Sequence, residues 1–265
     1  MTKVGVYFGT FAPLHIGHLQ EIYKCATENE KVLVIVSGYT DDRGAQIGLP
    51  LAKRLAYLQE AFKDEPNFVI AGLNETDLPP MPHGWDEWTK RLYSIIFENI
   101  AETPADITFY VGEVEYVKEL IQRFPEDMNH YQVEIANRLE IPISATKIRG
   151  NSLRYWQFIH PVFRQHFTKY VTVLDNETLL RRLAYSSNSP LVTTEMDNIS
   201  SNSGIVFVKN PIHIENMDII FTENSETKSK RNTILLDDKN EQLRFYHSID
   251  ALNEQFKINI PRLGK

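Results

Sequence analysis

The first two-thirds of the chain alternate short runs of β-branched and aromatic residues with longer stretches of helical spacing, and that alternation leaves few folds open. Strand-like runs occur at Val4–Phe8, Val32–Ser37, Phe68–Ala71, Ile107–Val111 and Tyr131–Ile135. Between them, His18–Glu28, Leu51–Phe62, Trp85–Glu98 and Glu115–Phe124 place apolar residues three and four apart. Strands that take turns with helices form βαβ units, so the expected fold is α/β, a Rossmann-like parallel sheet with helices on both faces. Ligands of such sheets bind beyond the carboxyl ends of the strands, near the point where strand order reverses. The loops after Phe8 and Val36 are therefore the first places to look for a site.

The pattern changes near Thr168. Beyond it the elements shorten and the loops become polar, rich in Ser, Asn and Thr at Ser186–Pro190, Asn198–Gly204 and Glu223–Asn232. Strand-like runs recur at Tyr170–Leu174, Ile205–Val208, Asp218–Phe221 and Thr233–Leu236, with helical spacing over Glu241–Phe256. The expected organisation is one domain over residues 1–168 and a smaller α/β domain over 169–265. The basic run Lys228-Ser229-Lys230-Arg231 lies between two of these strands and reads as a solvated turn. A net charge of −7 argues against broad nucleic-acid binding, which needs a basic face to neutralise phosphates. One cysteine, Cys25, allows neither an internal disulfide nor a metal knuckle. No apolar run reaches membrane-spanning length, and no apolar region follows a basic start. The expectation is a cytoplasmic protein that engages neither membrane nor nucleic acid and carries no protein-held metal site.

Two segments carry chemistry. The first, Gly9-Thr10-Phe11-Ala12-Pro13-Leu14-His15-Ile16-Gly17-His18, follows a strand and opens a helix. A helix N-terminus presents backbone N–H groups and a partial positive charge, which makes it a natural anion site. Gly9, lacking a Cβ, lets a phosphate approach the backbone, and Pro13 stiffens the turn. His15 and His18, three apart at a helix start, face one ligand. The second segment, Ile143-Ser144-Ala145-Thr146-Lys147-Ile148-Arg149, places a capping serine before a short helix with two cations close by. Arginine bridges phosphate oxygens as a fork, whereas lysine acts as a point charge.

Together these segments resemble the HxGH-type nucleotidyltransferases, whose loop is similar to His15–His18 and is preceded by a Gly-x-Phe-x-Pro stretch. Members carry an Ile-Ser-x-Thr-x-x-Arg segment about as far down the chain. The resemblance implies nucleotidyl transfer with release of pyrophosphate, driven by positioning and by stabilisation of phosphate charge. Carried over, His15 and His18 are the catalytic pair. The ATP site comprises Gly9, Thr10, Phe11, Gly17, Ser144, Thr146 and Arg149, with Lys147 as an added cation.

The acceptor is a separate question. Pro80-Met81-Pro82-His83-Gly84-Trp85-Asp86-Glu87-Trp88 delivers two tryptophans three apart at a helix start. They read either as packing residues or as faces on which a flat, cationic heterocycle stacks. With Gly38–Arg43 and Arg149–Trp156, this loop resembles the NadR-type nicotinamide mononucleotide (NMN) adenylyltransferases over roughly residues 4–167. That resemblance implies a reaction of ATP with NMN giving NAD and pyrophosphate, with Mg²⁺ accompanying ATP. Trp85 and then Trp88 are expected to stack on nicotinamide, and Arg43 and Arg54 to contact its phosphate. ATP and NMN are the expected partners, with a second copy of the chain as a further one.

The resemblance breaks after Thr168. NadR-type proteins often continue into a ribosylnicotinamide kinase domain with a strand, a glycine-rich loop ending in Gly-Lys-Ser/Thr, and a helix. Here that region reads Tyr170-Val171-Thr172-Val173-Leu174-Asp175-Asn176-Glu177-Thr178-Leu179. It holds no glycine to cradle phosphates and no Lys-Ser/Thr pair, and Asp175 and Glu177 repel polyphosphate. A degenerate kinase-like domain without kinase activity is expected. The DNA-binding helix-turn-helix and the Nudix pyrophosphatase of some relatives have no counterpart in the sequence, so neither activity is expected. Two other readings stay open: a related transferase with another phosphate acceptor, and a non-catalytic protein that binds NMN or NAD and signals to a partner.

Overall fold

The computed structural model describes residues 1–100, 104–136, 141–194, 201–226 and 232–262. The basic run 228–231 lies outside the described residues. The chain divides into two compact units, Met1–Arg149 and Gly150–Lys265. This division falls before the Thr168 boundary expected from composition. The reason is local: Trp156 donates its indole N–H to the Ser201 carbonyl at 2.7 Å, and Asn151 donates to the Lys257 carbonyl at 2.9 Å. Residues 150–168 therefore pack with the second unit.

The first unit is built on a five-stranded parallel sheet in the order β3-β2-β1-β4-β5. Its strands are β1 (Thr2–Gly9), β2 (Lys31–Gly38), β3 (Phe68–Asn74), β4 (Ala105–Val111) and β5 (His130–Ile135). Every pairing is parallel, with Val6 opposite both Leu33 and Phe109. The crossovers run through α1 (Ile16–Glu28), α2 (Leu51–Ala61), α3 (Trp85–Asn99) and α4 (Val114–Ile121), and α5 (Ala145–Gly150) closes the unit. Central strands buried on both faces read as continuous apolar runs, as Val32 to Val36 do, each at most 2% exposed. Strand order reverses between β1 and β4, which makes their carboxyl ends the switch point of the sheet. Cys25 of α1 is fully buried against Gly5 of β1, where a Cβ would come within 2.1 Å of its Sγ.

The second unit opens with α6 (Pro161–Phe167). It holds another all-parallel sheet in the order β10-β9-β6-β8-β7. Here β6 (Lys169–Val173) is central, flanked by β8 (Ile205–Val208) and β9 (Ile219–Thr222), with β7 (Leu191–Val192) and β10 (Thr233–Leu235) at the edges. One face is covered by α7 (Glu177–Ser186) and α8 (Glu241–Phe256), which bury Leu180, Leu183, Phe245 and Ile249 against Val171, Phe207 and Phe221. The sequence reading finds these strands to within two residues and locates α8. It misses α6 and the two-residue β7, which is too short to carry a periodicity. Among the described residues, no helix is long and apolar enough to cross a membrane.

Candidate functional site

A cavity of about 250 Å³ lies in the first unit at the carboxyl ends of β1, β2 and β4. Its wall includes Gly9, Thr10, Phe11, His15, Gly17 and His18 from the first motif, and Ser144, Thr146 and Arg149 from the second. Segments more than a hundred residues apart thus meet on one hollow. They are tied directly, since Arg149 donates from one Nη to the Ala12 carbonyl at 2.8 Å and from the other to Thr146 Oγ1 at 2.9 Å.

Each residue is placed by local rules. β1 ends at Gly9 and α1 begins at Ile16, with His15 in extended conformation at the N-cap and no side-chain cap hydrogen bond. The start of α1, with Gly17 and His18 on the cavity wall, thus carries no serine or aspartate side chain across it, which suits an anion. The atoms nearest a Cβ at Gly9 belong to the Phe11 ring, at 3.6 Å or more, an ordinary contact, and Gly9 lines the cavity. Gly17 is different, because a Cβ there would crowd the His15 ring at 3.2 Å. The His15 and His18 rings stack with centroids 3.7 Å apart. Phe11 is held at φ +48°, an uncommon conformation for a bulky residue, by burial of its ring against Tyr7 and edge-on to His18. Ser144 Oγ accepts from the Lys147 N–H at 3.3 Å, the capping role that the sequence suggests.

Arg43 reaches across from the loop after β2, with Nη2 3.4 Å from Thr10 Oγ1. Burial, and after it the neighbouring charge of Arg43, hold the Arg149 guanidinium below its ordinary value. Two guanidinium groups that oppose each other in this way mark a place fitted to an anion.

Four residues expected at the site do not line it. Arg54 is fully buried, and its donors go to Leu49, Thr10, Ser37 and Asp42, so it contacts no ligand phosphate in this arrangement. Lys147 turns its ammonium to the Pro142 carbonyl at 2.9 Å. Trp85 and Trp88 are packing residues here, 4% and 1% exposed, edge-to-face with centroids 5.6 Å apart. Spacing alone could not separate that role from a stacking surface. Trp88 donates to Glu75 Oε1 at 2.8 Å. Both tryptophans instead back Tyr116, at 5.2 and 5.6 Å between centroids, and Trp88 also packs edge-on to Phe8.

Tyr116 and Phe8 do line the cavity, along with Ser37, Gly112 and Glu113. None of these is named as a site residue from the sequence. Ser37 lies in the stretch after Val36 that the switch-point rule already singles out, and the same rule applied to β4 would have found Gly112. Burial, with Glu75 and Glu113 nearby, pushes the Tyr116 phenol up to about 12, and its hydroxyl stays neutral.

Residues 6–151 match the family described as cytidylyltransferase-like. The trifunctional NAD biosynthesis/regulator protein NadR of Salmonella typhimurium is 32% identical over 71% of this chain and 47% of its own length. The chain spans about half the length of the curated NadR proteins it matches. Among solved structures, a NadR protein in complex with NR superimposes with a TM-score of 0.88 at 38% identity, covering 100% of this chain and 98% of that one. The chain belongs to the NadR family. A second NadR structure, in complex with NAD and AMP-PNP, gives a TM-score of 0.86 at 39% identity over 100% of this chain and 99% of that one. NadR membership thus covers both units, and the second sheet belongs to the shared architecture as much as the first.

Proposed function

We propose that the chain transfers the adenylyl group of ATP to the phosphate of NMN, forming NAD and releasing pyrophosphate. One observation carries this reading: both phosphate-binding segments, with His15, His18, Arg43 and Arg149, line a single cavity at the switch point of the sheet. An NMN phosphate oxygen attacks the α-phosphorus as the bond to the bridging β-oxygen breaks, so negative charge moves onto pyrophosphate. His18 stabilises the α-phosphate as that charge shifts, while His15, the α1 N-terminus and Arg149 hold the leaving group. Arg43 and Thr10 hold the acceptor phosphate. Tyr116 and Phe8 form the aromatic wall for the nicotinamide ring, with Trp85 and Trp88 as their rigid backing.

Among the described residues no group of three or more His, Cys, Asp or Glu forms a metal cage. Mg²⁺ would arrive with the triphosphate, its charge offset near Glu21 and Glu113 of the wall, and would supply neutralisation of charge on the leaving group.

We propose further that the second unit has no kinase activity. Its helix N-terminus after β6 is closed by the side chain of Asn176, with Asp175 and Glu177 beside it.

The test is purified protein with ATP, Mg²⁺ and NMN, following NAD and pyrophosphate together. His18→Ala should lower turnover about 10²–10³-fold while ATP-analogue affinity stays within a few-fold. Ribosylnicotinamide in place of NMN should yield no NMN. Tight binding of NMN or NAD without turnover would replace the enzyme with a pyridine-nucleotide sensor. NMN formed from ribosylnicotinamide would refute the loss of kinase activity.

A further inference from the structure

We propose that Arg54 is a positioning residue for this reaction, a buried clamp that holds Arg43 and Thr10 in register without touching either substrate. The inference rests on the reading just given and adds a residue that lies outside the cavity wall.

The geometry is specific. Arg54 sits in the first turn of α2 with 0% exposure. Its Nε donates to the Leu49 carbonyl at 2.8 Å, fixing the chain at the entry to its own helix. One Nη donates both to the Thr10 carbonyl at 2.5 Å, in the loop after β1, and to the Ser37 carbonyl at 3.0 Å, at the end of β2. The other Nη pairs with Asp42 Oδ2. Asp42, 3% exposed, uses Oδ1 to accept from the backbone N–H groups of Gly44 and Ala45, both at 2.8 Å. One guanidinium thus joins the two loops whose side chains meet at the cavity, and its partner carboxylate shapes the turn that carries Arg43.

Two glycines make room for the clamp. A Cβ at Gly38 would lie 2.3 Å from Asp42 Oδ2 and 2.5 Å from Arg54 Nη2. A Cβ at Gly44 would lie 2.7 Å from the Leu49 carbonyl oxygen and 2.8 Å from Arg54 Nε. The planar five-donor fork is what the arrangement uses, so a lysine cannot replace it. Burying such a pair costs desolvation that Coulomb attraction only partly offsets. Its five further hydrogen bonds to the backbone, at Thr10, Ser37, Gly44, Ala45 and Leu49, give the pair a role beyond packing.

A double-mutant cycle between Arg54→Lys and Arg43→Ala reads this directly. In the unaltered background Arg54→Lys should raise KM for NMN and lower kcat/KM about tenfold, and in the Arg43→Ala background it should cost less than about twofold. Circular dichroism and melting temperature report whether each variant folds. If Arg54→Lys does not fold, Gly44→Ala enters the same cycle, and the same loss of effect in Arg43→Ala is required. Equal, multiplicative costs in both backgrounds would overturn the proposal, as would no effect of Arg54→Lys. The cycle is also read in NMN affinity by calorimetry, since Arg43 and Thr10 hold the acceptor phosphate. A wild-type chain that binds NMN but forms no NAD refutes the proposed reaction, while the cycle in NMN affinity still decides the clamp.

Discussion

The chain passes from a central parallel strand to a covering helix at two equivalent places, after β1 and after β6, and treats them in opposite ways. After β1, the six residues from Thr10 to His15 bow outward around a hollow, and no side chain caps α1. After β6, only Leu174, Asp175 and Asn176 intervene. Asp175 takes φ +63° to make the turn, and Asn176 accepts from the Leu179 N–H at 2.9 Å while donating to Glu223 at 2.6 Å. The macrodipole at the start of α7 meets Glu177 of its own first turn, so its charge is satisfied within the chain. A helix start becomes a ligand site when the chain leaves it unfilled. The same start filled by the chain's own side chains is a structural joint.

Paired substitutions sharpen this contrast. Gly9→Ala should leave stability within about 0.5 kcal/mol, because the nearest atoms to the new Cβ, on Phe11, lie at ordinary contact distance, yet weaken ATP about tenfold by occupying phosphate space. Asn176→Ala should do the reverse, lowering stability by about 1 kcal/mol with unchanged NAD formation. Calorimetric melting and nucleotide titration of both variants decide it. A nucleotide effect from Asn176→Ala would break the contrast, and so would a large loss of stability from Gly9→Ala.

The smallest expected effect concerns pH. His160 caps α6 by accepting from the Val162 N–H at 3.3 Å, a role only the neutral ring can fill at that nitrogen. Burial, and then Arg164, lower its pKa below the usual 6.5. The unfolded chain therefore takes up a proton below pH 6.5 that the folded one resists, and stability falls as the pH drops through that range. His160→Asn keeps the cap and removes the titration. It should flatten the dependence of melting temperature on pH below about 6.5. An unchanged slope would mean that other groups set it.

Much of the first unit was legible because strand order and chemistry share one origin. Runs such as Val32–Ser37 declare buried parallel strands, and the switch-point rule then directs attention to Gly9 and to the loop after Val36. The two motifs, paired in the sequence by the family resemblance, share one wall, since Ser144, Thr146 and Arg149 line the cavity with Gly9 to Phe11, His15 and His18. What the sequence left hidden were matters of which way a side chain turns. Arg54 and Lys147 look alike as cations near a phosphate motif, yet one is wholly enclosed and the other bends to the Pro142 carbonyl. The tryptophans at 85 and 88 share a helix face, and no periodicity says whether that face meets the sheet or a ligand. Tyr116 lies on α4, in a stretch whose pattern predicts only an amphipathic helix.

Cys25 has a practical consequence. It is the chain's single cysteine, sealed between α1 and β1, and burial raises its thiol to about 12. At neutral pH almost none of it is thiolate, so alkylating reagents and mild oxidants find no nucleophile in the native state. Labelling requires that α1 lift from the sheet. The rate of thiol modification therefore counts openings of the helix that begins at His15, and a nucleotide bound at that helix start should slow it.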